Sequence, residues 1–270
     1  MITLPLAAAL TAAILSTSFI SGIFGMAGGM ILMGILLAIM PVAAAMVLHG
    51  VTQMASNGWR AWLWRTHIRW PIVASYAAGA VLAALAFTAA QVVPSKPVAL
   101  IIIGLTPFVG LVLPSRVVPD PTRRLQGVGC GAICTVLLLL AGVSGPIFDV
   151  FFVRSRLDRK EMIATKGAIQ VFGHFLKVAY FGQFLAVSGA AVSGAEVAPV
   201  AVVLALALPA VGTHLSRRVL DAMSDAQFRR WTRGLIVAIA AVYLAQGLYG
   251  LLLDLGGAAA IAATLVTPRS

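Results

Sequence analysis

HGVTQMASNGWR, residues 49–60, and KGAIQVFGHFLK, residues 166–177, decide how this chain is read. His49, Gln53, Asn57 and Arg60 of the first stretch recur as Lys166, Gln170, His174 and Lys177 of the second, each displaced by 117 positions. Within each stretch the spacing is i, i+4, i+8, i+11. At about 100° per residue that spacing confines four side chains to roughly 80° of a helix surface. Both stripes sit in apolar stretches long enough to cross a bilayer. Polar groups are costly in hydrocarbon, so both stripes are expected to face protein or a watery path. A duplicated polar stripe in such a chain reads first as a transport pathway.

Composition supports the membrane setting. Hydrophobic residues make up 61% of the 270 and charged residues only 10%. That is more apolar than a soluble domain of this length needs, and runs of about 20 apolar residues recur. The runs do not alternate, which excludes an outer-membrane barrel. The net charge of +11 comes from short basic clusters between apolar runs, as in membrane-flanking loops, so no nucleic-acid partner is expected. Met1–Thr3 lacks Lys and Arg, and the N-terminus is expected to belong to the mature membrane domain rather than to a signal peptide. Cys130 and Cys134 read as buried apolar residues. No CxxC pair or Cys/His metal spacing occurs, and no P-loop or GxSxG elbow. The sequence therefore implies no metal, no cofactor, no ATP-driven step and no enzyme.

Eight apolar segments can be drawn, at about 4–40, 42–64, 70–92, 97–115, 125–153, 161–184, 197–216 and 232–253. The first is interrupted by GMAGG (25–29) and the fifth by GVSGP (142–146), again 117 apart, and the same offset relates Gly50 to Gly167. Basic clusters follow segments two, four, five and seven: Arg65 and Arg69; Arg116, Arg123 and Arg124; Arg154 to Lys160; Arg217 to Arg233. The positive-inside rule wants all four in the cytoplasm, which eight simple crossings cannot achieve. Broken hairpins at segments one and five resolve the conflict and leave the loops at Lys96 and Glu196 outside. The expected fold is an all-α polytopic membrane protein of the cytoplasmic membrane. It has two inverted repeats, 1–118 and 119–270, each a broken or re-entrant helical hairpin followed by three transmembrane helices.

The breaks and stripes supply candidate chemistry. A restarting helix presents unpaired N–H groups and partial positive charge, and Pro146 suits a first turn. Gly25, Ala27, Gly28 and Gly29, with Gly142, Ser144, Gly145 and Pro146, are thus candidates for opposed anion-binding ends, or else small residues that let helices pack closely. Gln53 and Gln170, the one identical pair, and Asn57 and His174 join them as substrate-binding candidates; interhelical hydrogen bonding is the plainer role. His49, Arg60, Asp149, Lys166 and Lys177 are gating or coupling candidates. The cations otherwise snorkel or anchor at the interface, and the histidines pack. Trp59, Trp62, Trp64 and Trp70 read as an aromatic belt.

With GMAGG and GVSGP placed after the first helix of each half, the chain resembles the TauE/SafE family of sulfite and organosulfur anion exporters over nearly its whole length. Family members carry G-x-G-G-G there; Ala27, Ser144 and Pro146 depart from it. The resemblance implies a small anionic substrate such as sulfite, thiosulfate or a C2 organosulfonate or carboxylate, exported on an ion gradient. A passive anion channel is the alternative. A membrane-embedded enzyme lacks an obvious nucleophile–base pair.

Overall fold

A computed structural model describes residues 4–112, 117–153, 155, 157–187 and 199–266. Arg116, Arg154, Arg156 and Glu196, used above for topology, lie outside the described residues. The described chain is helical: α1 (Leu4–Phe24), α2 (Met26–Ile39), α3 (Val42–Leu63), a 3-10 turn (Arg65–His67), α4 (Trp70–Ala90), α5 (Lys96–Val112), α6 (Arg124–Ala141), α7 (Gly145–Val153), α8 (Arg159–Val187), α9 (Pro199–Ala222) and α10 (Asp225–Val266). Five of these, α1, α4, α6, α9 and α10, contain stretches long and apolar enough to cross a membrane. This is a multi-pass membrane protein. α3 and α8 have 22 and 29 residues, length enough to span, yet fall outside that apolar group. Their polar stripes are the reason, and such helices need protein around them.

The two expected breaks are present, each set by a glycine at positive φ, a region that favours glycine. Gly25 has φ 67° and ψ −113°, and α2 restarts at once. Gly142 has φ 76°, and its N–H donates to the Leu138 carbonyl at 2.9 Å, closing α6 with a left-handed cap. The Ser144 carbonyl then accepts from the Phe148 N–H at 2.9 Å, which opens α7. The first break is a hairpin. Gly28 of α2 lies directly against the Thr17 carbonyl and Ser21 of α1, whereas a continuous helix would hold Thr17 and Gly28 about 16 Å apart. The arms are unequal. α1 and α6 have 21 and 18 residues, but α2 and α7 only 14 and 9.

α3 and α8 pack antiparallel along most of their length. Gly50 of α3 admits Lys177 and Val178 of α8, and Gly167 of α8 admits Asn57 and Ala61 of α3. Around this seam, α1 packs on α9 as α4 does on α6, α9 on α3 as α4 on α8, and α10 on α2 as α5 on α7, while α5 lies against α10. Two apolar cores result. One gathers Leu10, Ile14, Met33, Leu36 and Met46 around the α1–α2 hairpin. The other gathers Tyr76, Cys130, Cys134, Phe148 and Phe152 around α6 and α7. Both cysteines are free and buried there. Tyr243 of α10 pins the short arm α2, donating its hydroxyl to the Met30 carbonyl at 2.6 Å.

Candidate functional site

The hairpin ends meet the two stripes, and a two-chambered cavity lies between them. The wider chamber, about 240 Å³, is lined by Gln53, Asn57 and Arg60 of α3, Met162, Lys166 and Gln170 of α8, Gly25–Met26 of the first break, and Gly145 and Asp149 of α7. The narrower, about 40 Å³, is lined by Gly29, His49, Ser144, Gly145, Pro146 and His174. Met26, Gln53, Gly145 and Gln170 belong to both and form the neck. Gly29 lets the Gln53 amide come close, since a Cβ there would sit 3.0 Å from Gln53 Nε2. The inner chamber has space for a few waters or the head of one small oxyanion.

Charge around the wider chamber is unbalanced. Lys166 is paired with Asp149, and its amine also lies 5.7 Å from the centre of the Phe148 ring. Arg60 makes no ion pair among the described residues; it donates to Asn57 Oδ1 at 2.9 Å and more weakly to Ser56. Asn57 is only 1% exposed, and its Nδ2 has no partner among the described residues. A cation without a carboxylate partner on a cavity wall is suited to an anion's oxygen.

The inner chamber ends at a polar bridge. His49 Nε2 lies 3.0 Å from the Gly29 carbonyl, which can only accept, so that nitrogen carries the hydrogen. Its Nδ1 then accepts from Lys177 Nζ at 2.8 Å, and Lys177 also donates to the Gly142 carbonyl at 3.0 Å. The chain of bonds ties the first turn of α2 to the cap of α6. The His174 ring lies 5.7 Å from that of His49, and its buried Nδ1 has no partner among the described residues.

The wider chamber lies where α3 ends and α8 begins. Asp158 caps α8, its Oδ1 accepting from the N–H groups of Lys160 and Glu161 at 2.8 Å, while Glu161 Oε2 accepts from the Asp158 N–H at 3.3 Å. This is a reciprocal capping box, and the Glu161 and Lys160 N–H groups hold the Asp158 carboxyl below its ordinary value. Arg69 pairs with Glu161 at 2.9 Å, tying α4 to α8. Lys160 lies over the Trp64 ring, and Trp59, Trp62 and Trp70 are exposed around it, so the tryptophans form the rim at this end.

Most of the sequence-derived candidates line the chambers or the bridge: Gly25, Gly29, Gln53, Asn57, Arg60, Ser144, Gly145, Pro146, Asp149, Lys166, Gln170, His174, His49, Lys177 and Gly142. Ala27 and Gly28 do not. Ala27 belongs to the first core, and Gly28 faces α1. Arg60 and Lys177 do not snorkel out: one lines the chamber, and the other is fully buried at 0% exposed. Sequence reasoning passed over Met26, which lines both chambers, although it stands inside GMAGG. It also passed over Tyr243, for which no local signal exists.

The chain matches the family model described as Sulfite exporter TauE/SafE over residues 10–244. It matches no curated protein and no solved structure.

Proposed function

Because the chain belongs to the sulfite exporter TauE/SafE family, we propose that it carries a small sulfur oxyanion or C2 organosulfonate or carboxylate out of the cytoplasm by alternating access, drawing on an ion gradient. One observation carries the reading. Asn57 and Arg60, the latter without an ion pair among the described residues, line a chamber that runs between two helix breaks. Anions are what such a chamber stabilises: donors, a cation and helix starts on its wall, with Asp149 already neutralised by Lys166.

The inverted-repeat reading, with halves 1–118 and 119–270, is supported by the pairing of helices. Exchanging α1, α2, α3, α4 and α5 for α6, α7, α8, α9 and α10 turns most of the packed pairs into one another. The two stripe helices run antiparallel, as inverted copies on either side of a two-fold axis must. The loops beside the wider chamber carry Arg65, Arg69, Arg159 and Lys160. By the positive-inside rule this end is cytoplasmic, which makes the described conformation inward-open in the inner membrane. The inner chamber stops at the His49–Lys177 bridge, and a closed far end favours a carrier over a passive channel.

The test is a binding screen of sulfite, thiosulfate, sulfoacetate, taurine and simple carboxylates against purified protein, followed by efflux from loaded proteoliposomes. Saturable binding of one of the anions with matching efflux is expected. No binding to any of them, or efflux that rises linearly with concentration, would sink the proposal.

A further inference from the structure

We infer that Lys177 is the proton site of this transporter: its amine is neutral when the inner chamber is empty, gains a proton as an anion enters, and anion and proton then cross together. The inference deepens the transport reading above and rests on it. The bonds at the bridge and the absence of a counter-charge beside it among the described residues carry it. A neutral amine has two N–H bonds, and Lys177 Nζ has two acceptors, His49 Nδ1 at 2.8 Å and the Gly142 carbonyl at 3.0 Å. The acceptor role of Nδ1 follows from the Gly29 carbonyl, which requires the hydrogen on Nε2. With both residues uncharged every N–H of the bridge has an acceptor and only the amine's lone pair is left over, whereas an ammonium would leave an N–H without an acceptor.

Protonation adds a third N–H and a full charge to a side chain that is 0% exposed. No carboxylate pairs with Lys177 among the described residues. The groups facing it are few. α3 presents His49, α8 itself presents His174 one turn away, and α6 presents only the Gly142 carbonyl. Asp149 of α7 is held by Lys166, while Tyr76 of α4 and the cysteines of α6 lie in the second core. An uncompensated ammonium in such surroundings is costly. An anion in the inner chamber, whose wall includes His49 and His174, supplies the missing counter-charge.

The coupling has a definite sign. Anion binding and proton binding favour each other, and by reciprocity the anion binds more tightly as pH falls. The proton travels outward against the proton gradient, so the drive for export is the membrane potential acting on the charge that remains, which for a divalent anion is one negative unit. No covalent step is involved; the proton comes from solvent through the wider chamber and leaves with the anion on the far side.

The experiment is titration calorimetry of thiosulfate into the purified full-length protein, in buffers of different ionisation heat. Thiosulfate stays fully ionised around neutral pH, so any proton taken up belongs to the protein. The wild type is expected to take up about one proton per thiosulfate, with affinity falling by about tenfold per pH unit on the alkaline side. Lys177→Arg, whose guanidinium is charged throughout, is expected to bind without uptake and without that pH dependence. Lys177→Met is expected to lose the uptake together with most of the affinity. Wild-type binding with no proton uptake, or uptake that survives in the arginine variant, overturns the inference while leaving the transport reading intact. No wild-type binding of thiosulfate or any anion of the earlier screen overturns both. Should the methionine variant fail to fold, the wild-type stoichiometry and the arginine variant decide alone.

Discussion

Replacing Gln53 and Gln170 by leucine tests the neck of the cavity. Both amides line both chambers, so an anion passing from one to the other meets them. Leucine has nearly the shape of glutamine and no donor. A hydrogen bond to a charged acceptor contributes about 1.5–3 kcal/mol, which corresponds to roughly 10- to 150-fold in affinity for each single change. Both residues are half-buried, so the apolar replacement removes no core packing and leaves folding near that of the wild type. The assay is the dissociation constant of the bound anion for the purified variants, with thermal unfolding measured alongside. The double variant is expected to lose detectable binding while unfolding within a few degrees of the wild type. Wild-type affinity in the double variant would show that the amides only join helices, and would remove the neck from the pathway.

Gly28→Val should act on folding, because its Cβ would lie 2.0 Å from the Thr17 carbonyl oxygen; a loss of about 3 kcal/mol is expected, read as a lower melting temperature of the detergent-solubilised protein. Asn57→Leu should instead lower stability by about 1–2 kcal/mol, since it takes from Arg60 its closest acceptor, and should weaken anion binding by about tenfold in the same titration because Arg60 is no longer held on the chamber wall. Asp149→Asn frees the Lys166 charge beside the wider chamber and should tighten anion binding by about 1 kcal/mol, roughly fivefold, with the gain lost at high salt. Single cysteines at Arg69, Arg124 and Lys160, in a Cys130→Ser/Cys134→Ser background, should all label from the cytoplasmic side and one at Lys96 from the other; labelling of Arg124 and Lys160 from opposite sides refutes the hairpin topology.

The parts of the site that depend on residue type and spacing were legible. The duplicated stripes needed only the helical period. The breaks needed only the clustering of Gly25, Gly28 and Gly29 and of Gly142, Gly145 and Pro146. The rarity of a carboxylate in an apolar run singled out Asp149, though not Lys166 as its partner. What stayed hidden depends on direction. Gly25, Gly28 and Gly29 look alike in sequence, yet one turns the chain, one packs on α1 and one admits the Gln53 amide. A glycine carries no side chain to reveal its facing, and only the tertiary neighbour tells. The fate of Lys177 was open for a similar reason. A long cationic side chain deep in a helix either snorkels or stays, and its partner His49 is supplied by the other half of the chain. The unequal hairpin arms were hidden too, since hydropathy marks an apolar run without marking where its packing partners end.

The tip of the second hairpin is sheathed in thioether. A methyl group on Gly142 would touch the sulfurs of Met33 and Met46, and Gly145 lies against Met26. Methionine is the most pliable of the large apolar side chains, with three rotors and no branch. A tip held by leucine or isoleucine would be keyed into one position, and sliding it would open voids. Held by methionines, it can travel a short way while the contacts re-form behind it, so the region works as a soft bearing. Stiffening that bearing with Met33→Ile and Met46→Ile would slow turnover in proteoliposomes more than it weakened equilibrium binding, because it burdens motion and leaves the anion's own contacts untouched.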